Sequence, residues 1–485
     1  MSRFLPLALA VAAGLLLAGC ASTGGIAPQG QLRDTASLQA SRALADARIS
    51  DAAWPDAQWW KALGDPQLDA LIDEALASAP SLDAADARVR KAQAQAGLAD
   101  AARKPTLGAS GQYATAQLPE GLAGEEIGGK LMHNAMLMAN FALPLDIWGG
   151  KRADYRAALG QARASEVDAH AARLALAANV ARGYVALAQA FDALDIAQRE
   201  QARSERLHAL GKQRVDAGID NRISLRNAET LIATAKAQQH AAQQQIDALR
   251  NALAALVGQG PDRGLSIQRP QLLQAPAPAL PAALPSELLG HRPDVVAARW
   301  RVEAAAQGIK SAQAKFKPSI DISALVGLAA VNFDDLFRSD SLLGFGGPAI
   351  SLPIFDGGQL RNNLAARDAD YDLAVADYNS TVIAGLHETT DAVQAIRALD
   401  AQATSLEQAR AAAASAYELA GQRHRAGLGT QLDVLAAQKP LLQLEQQIAG
   451  VRAQRYVAAI DLNRALGGGL AVEAPAITAS NPSQP

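Results

Sequence analysis

The chain has 485 residues, with 45 basic and 48 acidic side chains and a formal net charge of −3. This balance lacks the basic field that nucleic-acid binding requires, so we expect no nucleic-acid partner. Aromatic residues make up only 4% of the chain while alanine dominates long stretches, a composition typical of closely packed helices rather than of a thick globular core. The single cysteine excludes an intrachain disulfide.

The N-terminus has the features of a bacterial lipoprotein signal. Arg3 precedes an apolar run that is too short to span a bilayer well. The tetrapeptide LAGC, which ends at Cys20, matches the lipobox. We therefore predict a signal peptide over residues 1–19, acylation of Cys20, and a lipidated tether over residues 20–60. Alanine rather than aspartate follows the cysteine, which by resemblance to sorted lipoproteins favours the outer membrane.

The rest of the chain is organised as two copies of one unit. Each copy begins with a helical pattern that stops at a proline, Pro105 or Pro318, because proline cannot continue the helical hydrogen-bond ladder. The predicted segments are repeat 1 (61–258), a Pro-rich equatorial linker (259–285), repeat 2 (286–468) and a C-terminal tail (469–485).

A period of two follows each of these prolines. In the second copy Ile320 and Ile322 alternate with Asp321 and Ser323, the pattern of a half-buried strand. The first copy alternates less cleanly. We predict four transmembrane strands, two in segment 106–145 and two in segment 318–355, at residues 106–117, 131–145, 318–331 and 343–355. Each is long enough to cross a bilayer at a tilt.

Long helical stretches follow each pair of strands. The predicted coiled coils cover residues 149–257 and 357–466, where apolar side chains recur in steps of four and three, the spacing of a left-handed supercoil. Each stretch is interrupted once, at Gly218 or Gly427, where glycine can end a helix. The sequence thus predicts a long leg of roughly 100 Å and a return leg half as long in each copy.

These elements predict a fold that is mainly α with β, in which a duplicated unit supplies four transmembrane strands and a long antiparallel coiled coil. Four strands cannot close a barrel, and lipid does not tolerate open strand edges. Other chains must therefore supply the missing strands. Two chains would give a filled eight-stranded barrel and three would give a twelve-stranded barrel with a lumen; the residues alone leave both possibilities open.

Several motifs carry a resemblance to a known family. They are the lipobox Cys20, "WWKALGDPQLDALIDEAL", "DIWGGKR", "HRPDVVAARWRVEAAAQGIKSAQAKFKPSIDISA" and "RAGLGTQLDVLAAQ". The chain resembles the outer-membrane factor family of TolC-like channels, and within it the NodT-type lipoproteins of RND efflux systems. The resemblance implies a homotrimer with a 12-stranded barrel above a 12-helix periplasmic tunnel. It also implies an outer-membrane location, a periplasmic adaptor and an inner-membrane efflux transporter as partners.

Three functions are compatible with these features. The first is a passive trimeric conduit that exports drugs or other small toxic compounds from the periplasm to the exterior. The second is an outer-membrane channel for type I protein secretion, which no local motif excludes. The third is a structural coiled-coil lipoprotein without transport activity. The paired strands argue against a purely structural lipoprotein, which would need no barrel. The lipobox with the NodT-like motifs favours efflux over secretion.

Two kinds of candidate site follow. Gly149, Gly150, Gly357 and Gly358 lie where a barrel strand must bend into a tunnel helix, and we predict that they act as hinges because glycine permits sharp turns and close approach. Charged residues gather at the helix tips, where ion pairs across a constriction could close the channel. The candidate gate residues are Asp216, Asp220, Arg222, Arg423, Arg425, Leu432, Asp433 and Lys439.

The resemblance places the constriction on the second tip, where Leu432 matches an apolar ring position. This chain departs from the family pattern there, with Ala436 in place of an acid and Lys439 in place of arginine. Pro440 follows, and inside a helix it should kink or loosen the backbone at a cost of roughly 3 kcal/mol.

Enzymatic motifs are weak. "GEEIGGK" has the spacing of a phosphate-binding loop, but Leu131 replaces the hydroxyl residue that binds magnesium. "GFGGPA" is followed by a predicted strand rather than a helix. We therefore expect no catalysis, no cofactor and no metal site, and energy for transport must come from a partner.

Overall fold

The structure is a computed structural model that describes residues 23–34, 54–124, 129–273, 290–331 and 333–469, together with positions 37, 38, 42 and 44. The predicted signal peptide and Cys20 lie outside the described residues. So do most of the Pro-rich linker and the tail beyond residue 469.

Four antiparallel strands form one sheet in sequence order: β1 Thr106–Gln117, β2 Leu131–Leu145, β3 Ser319–Ala330 and β4 Leu342–Ser351. The prediction of four strands is confirmed, but the limit of 355 for the last strand is wrong. β4 ends at Ser351 because the chain leaves the sheet before Pro353, which has no N–H to donate. Single-turn helix Glu120–Ala123 lies in the first hairpin connection, and 3₁₀ turns lie in the second.

The register gives the sheet one apolar face. Leu107 pairs with Phe141, which pairs with Ala324, and Leu137 pairs with Leu328. Paired residues point to the same side of a sheet, so these rows share one face. The opposite face carries most of the polar side chains, among them Thr106, Ser110, Gln112, Asn140, Asp321 and Ser323. Several residues of the apolar face are exposed, including Leu107 at 79% and Leu342, the partner of Leu328, at 67%; exposure of that extent fits a sheet that meets lipid.

Among the described residues, seven helices of 13 residues or more support the sheet: α1 Pro66–Ser78, α2 Pro80–Ala101, α3 Gly150–Asp216, α4 Arg222–Leu256, α5 Pro293–Ala314, α6 Gln359–Arg425 and α7 Gln431–Ala465. The two long legs, α3 and α6, each have 67 residues, or about 100 Å. α3 packs against α2 and α5 near the sheet and against α4 and α7 farther along, while α6 packs against α5 and α7. Shorter helices therefore pack along the length of each long helix.

One 18-residue window of α3 is apolar enough to span a membrane, but half of it is buried inside the protein. Packing against the neighbouring helices accounts for this apolar character. α7 continues through Pro440, which has no N–H for the carbonyl group of Ala436.

The main core lies midway along the rods. Trp59, Trp60, Leu68 and Leu71 pack there with the completely buried Tyr184 of α3. The two tryptophans show that the folded unit begins before residue 61, where the sequence analysis placed its start.

Two buried polar networks hold the helices together at the level of the main core. The Tyr184 hydroxyl donates to Asp65 Oδ2 at 2.8 Å, and that carboxylate also accepts from the backbone N–H of Gln271 at 2.7 Å. Arg292, only 3% exposed, donates to Asp294 and to Glu388, the latter at 3.0 Å. The networks join segments that are far apart in sequence.

The N-terminal segment lies along α6. The carboxylate of Asp372 accepts from the backbone N–H groups of Gln29 and Gly30 at 2.8 and 2.6 Å. Asn379 accepts from the N–H of Arg33 at 2.9 Å. Ile26 packs against the apolar seam between α5 and α6. This segment begins near the first turn of α6 and runs away from the sheet.

Candidate functional site at the hinges and helix tips

The predicted hinge glycines serve two different purposes. Gly149, Gly357 and Gly358 have left-handed backbone, with φ of 74°, 64° and 90°, which a residue with a Cβ adopts only at a cost. Gly150 is the first residue of α3 and has no left-handed φ. A Cβ at Gly150 would lie 2.8 Å from the Cβ of Ala314 on α5. Close helix packing, rather than the turn, therefore requires the second glycine.

An aspartate before each hinge accepts hydrogen bonds from the backbone N–H groups at the start of the long helix. Asp146 accepts from the N–H groups of Lys151 and Arg152 at 3.0 and 2.8 Å. Asp356 accepts from those of Gly358 and Leu360 at 3.0 and 2.6 Å, and these bonds hold the pKa of its carboxyl below the usual range. Free N–H groups at a helix start attract such acceptors. The two acids stand at different distances from their glycine pairs, so aligning the copies does not reveal their shared role.

Trp148 connects the first hinge to the second pair of strands. Its indole Nε1 donates to the backbone oxygen of Pro318 at 2.7 Å, and the Lys317 ammonium group lies 4.9 Å from the ring centroid. Ile147, Ile354 and Phe355 are also exposed at these junctions. An exposed apolar band with an indole is typical of the level where a membrane meets water.

The first tip joins α3 to α4 through a glycine turn. Gly218 has a φ of 72°, and the N–H of Ile219 donates back to the carbonyl oxygen of Arg214 at 2.8 Å. The Arg214 side chain donates to Asp220 at 3.3 Å. A hydrogen bond from the N–H of Asn221, followed by the one from Arg214, lowers the pKa of the Asp220 carboxyl.

The second tip joins α6 to α7 in the same way. Gly427 has a φ of 72°. Thr430 and Asp433 then form a capping box, in which each side chain accepts from the backbone N–H of the other. These bonds from Thr430 lower the pKa of the Asp433 carboxyl. Arg423 donates to the backbone oxygen of Leu428 at 3.2 Å.

The predicted gate charges thus divide into two groups. Asp220, Arg423 and Asp433 are engaged in bonds that hold their own tip together. The other four form no side-chain hydrogen bond or ion pair with the described part of the protomer, and all are exposed: Asp216, Arg222, Arg425 and Lys439. Leu432, the predicted apolar ring residue, is half-buried.

The sequence analysis missed the apolar pair Ile219/Ile223 on the first tip and, on the second tip, Leu428, the companion of the predicted Leu432. Ile219 and Ile223 are each 67% exposed, and Leu428 is 71% exposed. Ile219 and Leu428 each follow the turn glycine directly, while Ile223 and Leu432 each stand five positions after it. Aligning the two glycines would have shown this repeated spacing.

The described residues contain no cluster of histidine, cysteine, aspartate and glutamate suited to a metal ion. Residues 344–349, the second weak nucleotide motif, lie within β4. Part of the first such motif, residues 125–128, lies outside the described residues.

An amphipathic four-stranded sheet mounted on rods of about 100 Å, with glycine hinges between them and paired hairpin tips, defines a channel-forming protein of the outer membrane. The two copies also match a known family profile. The chain belongs to the outer membrane efflux protein family, whose profile matches residues 71–259 and 284–468.

Individual relatives agree with this assignment. The chain is 40% identical over 370 residues to the fusaric acid resistance protein FusA of Burkholderia cepacia, covering 75% of this chain and 69% of that protein. It is 31% identical to the multidrug resistance outer membrane protein MdtP of Escherichia coli K12, covering 94% of each. The crystal structure of the outer membrane protein VceC from Vibrio cholerae superposes with a TM-score of 0.78 at 37% identity, covering 86% of this chain and all of that one.

Proposed function

We propose that this protein is the outer-membrane channel subunit of a tripartite efflux system, a passive conduit through which small toxic compounds pass from the periplasm to the exterior. One observation carries the proposal: β1 and β4 are the two edges of the sheet, and the outer side of each pairs with no strand of the described chain. In lipid such edges need partners. Three copies supply twelve strands, enough to enclose a lumen.

The partners follow from this architecture. A passive tube has no energy source of its own, so an inner-membrane efflux transporter must drive export and a periplasmic adaptor must connect it to the tips. Exposed Ile219, Ile223 and Leu428, with half-buried Leu432, offer the adaptor apolar contacts among the tip charges. Acylation of Cys20 would hold the N-terminal segment to outer-membrane lipid. The names of FusA and MdtP favour small molecules as cargo.

The gate is assigned to charges that the protomer leaves free. Asp216, Arg222, Arg425 and Lys439 are exposed at or near the tips and lack ion-pair partners among the described residues. In a closed trimer they are available to pair between subunits. Asp433, by contrast, serves as a helix cap.

Conductance in planar bilayers tests both parts of this proposal. The purified full-length protein should form channels of low conductance, and R425A should raise that conductance several-fold because an inter-subunit latch is lost. K236A, which removes an exposed charge far from the tips, is the matched control and should leave conductance unchanged. Absence of ion flow even after all four free tip charges are neutralised would exclude a passive conduit. Equal conductance of R425A and K236A would exclude this gate.

A further inference from the structure

A pocket of about 310 Å³ lies at the top of the groove between α3 and α5, directly below the strands. We call it the junction pocket. Its lining includes Trp148, Arg152, Arg156, Gln307, Lys310 and Lys317. Both helices belong to one protomer, so the pocket does not depend on a neighbouring subunit.

The junction pocket is strongly basic. Four cationic side chains line it and no carboxylate does. Arg152 has a carboxylate nearby, that of Asp146 at 3.8 Å, which already accepts two backbone N–H groups. Arg156 and Lys310 form no ion pair among the described residues, and the Lys317 ammonium group packs on the Trp148 ring. The protein itself therefore leaves most of this positive charge without a counter-charge.

A buried acceptor adds a second, independent observation. Gln307 lines the junction pocket and is only 7% exposed. Its Nε2 donates to Glu303 at 3.0 Å, but its Oε1 is buried without a hydrogen-bond partner. An unsatisfied buried carbonyl oxygen costs free energy. A ligand with both an anionic group and a hydroxyl donor would satisfy the cations and this oxygen together.

The junction pocket faces the outside of the rods. A larger groove between α3, α5 and α6 includes Gln161 on α3 and Asp377 on α6. Each residue advances about 100° around a helix. Arg152, in the junction pocket, therefore lies about 180° around α3 from Gln161, which lines the larger groove. Asp372 lies about 140° around α6 from Asp377, which also lines the larger groove. Asp372 holds the N-terminal segment. The junction pocket and that segment thus share one side, opposite the larger groove.

The pocket also lies at membrane level. The segment that Asp372 holds leads back to the predicted lipidated Cys20, so its side must be reachable from lipid. Exposed Ile147, Ile354 and Phe355 mark the same level as Trp148. An indole at the interface with cations just below it is the arrangement that meets lipid headgroups.

We propose that the junction pocket binds the headgroup of an anionic phospholipid of the inner leaflet, of the phosphatidylglycerol class. Arginine and lysine hold the phosphate, and Gln307 Oε1 accepts from a glycerol hydroxyl. This inference rests on the outer-membrane location and not on transport. The bound lipid holds α3 and α5 together directly beneath the barrel.

Native mass spectrometry of the full-length protein in neutral detergent tests the proposal. Dioleoyl-phosphatidylglycerol should bind in preference to dioleoyl-phosphatidylcholine. K310Q/K317Q should weaken that binding by roughly 30-fold, since each lysine near an anionic lipid contributes about 1 kcal/mol. K91Q/K236Q, which removes two exposed lysines elsewhere, should bind like the unaltered protein. K310R/K317R should retain binding. The single variants K310Q and K317Q replace the double glutamine variant if it does not fold, and each should weaken binding by roughly 5-fold.

Three results would overturn the lipid site: equal binding of phosphatidylcholine, undiminished binding of phosphatidylglycerol by a folded K310Q/K317Q, or equal occupancy of the pocket by inorganic phosphate. The last would indicate a free-anion site. Conductance is measured on the same preparations in phosphatidylcholine bilayers. Normal conductance without lipid preference contradicts the junction pocket alone, whereas lipid preference without conductance contradicts the channel alone.

Discussion

Substitution of Gly150 by alanine tests why the first hinge has a second glycine. The new Cβ would lie 2.8 Å from the Cβ of Ala314, whereas carbon atoms prefer about 3.5–4.0 Å. One helix must shift, and overpacking of this kind costs about 1–3 kcal/mol. The better helix propensity of alanine offsets at most about 1 kcal/mol of that cost.

A double-mutant cycle isolates the contact. A314G removes the opposing methyl group, so G150A/A314G should be more stable than the summed single effects by about 1–3 kcal/mol. G149A is the matched control. Its left-handed φ of 74° should cost about 1–2 kcal/mol, but no heavy atom lies within 4 Å of the added Cβ. G149A and A314G should therefore be additive within about 0.5 kcal/mol.

Urea unfolding of the full-length protein in detergent, followed by circular dichroism and tryptophan fluorescence, measures these free energies. Additive effects of G150A and A314G would refute the close-packing explanation. Coupling of G149A to A314G of equal size would show instead that the hinge responds as one unit to any change near α5.

Three further predictions concern the buried polar groups. Y184F should destabilise the protein by about 1.5–3 kcal/mol in urea unfolding, because the buried Asp65 carboxylate loses a donor; a change below 0.5 kcal/mol would contradict this. R292A should cost about 1–3 kcal/mol in the same assay, since the buried carbonyl oxygen of Ala465 loses its donor, and R292K should recover only part of it. Asp368 is 5% exposed with both oxygens unpartnered, and burial raises its pKa. The protonated form therefore favours the fold below the unfolded pKa of about 3.9, and this contribution is lost as pH rises through the raised pKa. D368N should be more stable by about 1–3 kcal/mol at pH 7, with the advantage shrinking towards pH 4; a constant advantage across that range would contradict this origin.

The extent of the strands and rods was predictable because their signals are local. Alternation at Ile320 and Ile322 and the steps of four and three along the helices depend only on neighbouring residues. Glycine turns at Gly218 and Gly427 marked the tips for the same reason. Residue 355 was a poor strand limit because apolar residues continue past Ser351, while only the hydrogen-bond pairing shows where the sheet stops.

The roles of individual site residues needed the tertiary structure. The sequence placed Asp433 among the gate charges, but its carboxylate caps α7. Gly150 looked equivalent to Gly149 until the approach of Ala314 was known. Charge and residue type are properties of one position, whereas a bond or a close contact belongs to a pair of positions.

By itself, then, the sequence determined a duplicated unit of two strands and a long helical leg, because periodicity, proline and glycine act over short stretches of chain. Only the tertiary structure decided which surfaces meet: the common apolar face of the four strands, the N-terminal segment on Asp372, and the cations of the junction pocket. Asp168 of α3 pairs with Arg301 of α5, 133 positions away, and Asp372 of α6 holds Gln29, 343 positions away. Such partners carry no mark of one another in the sequence.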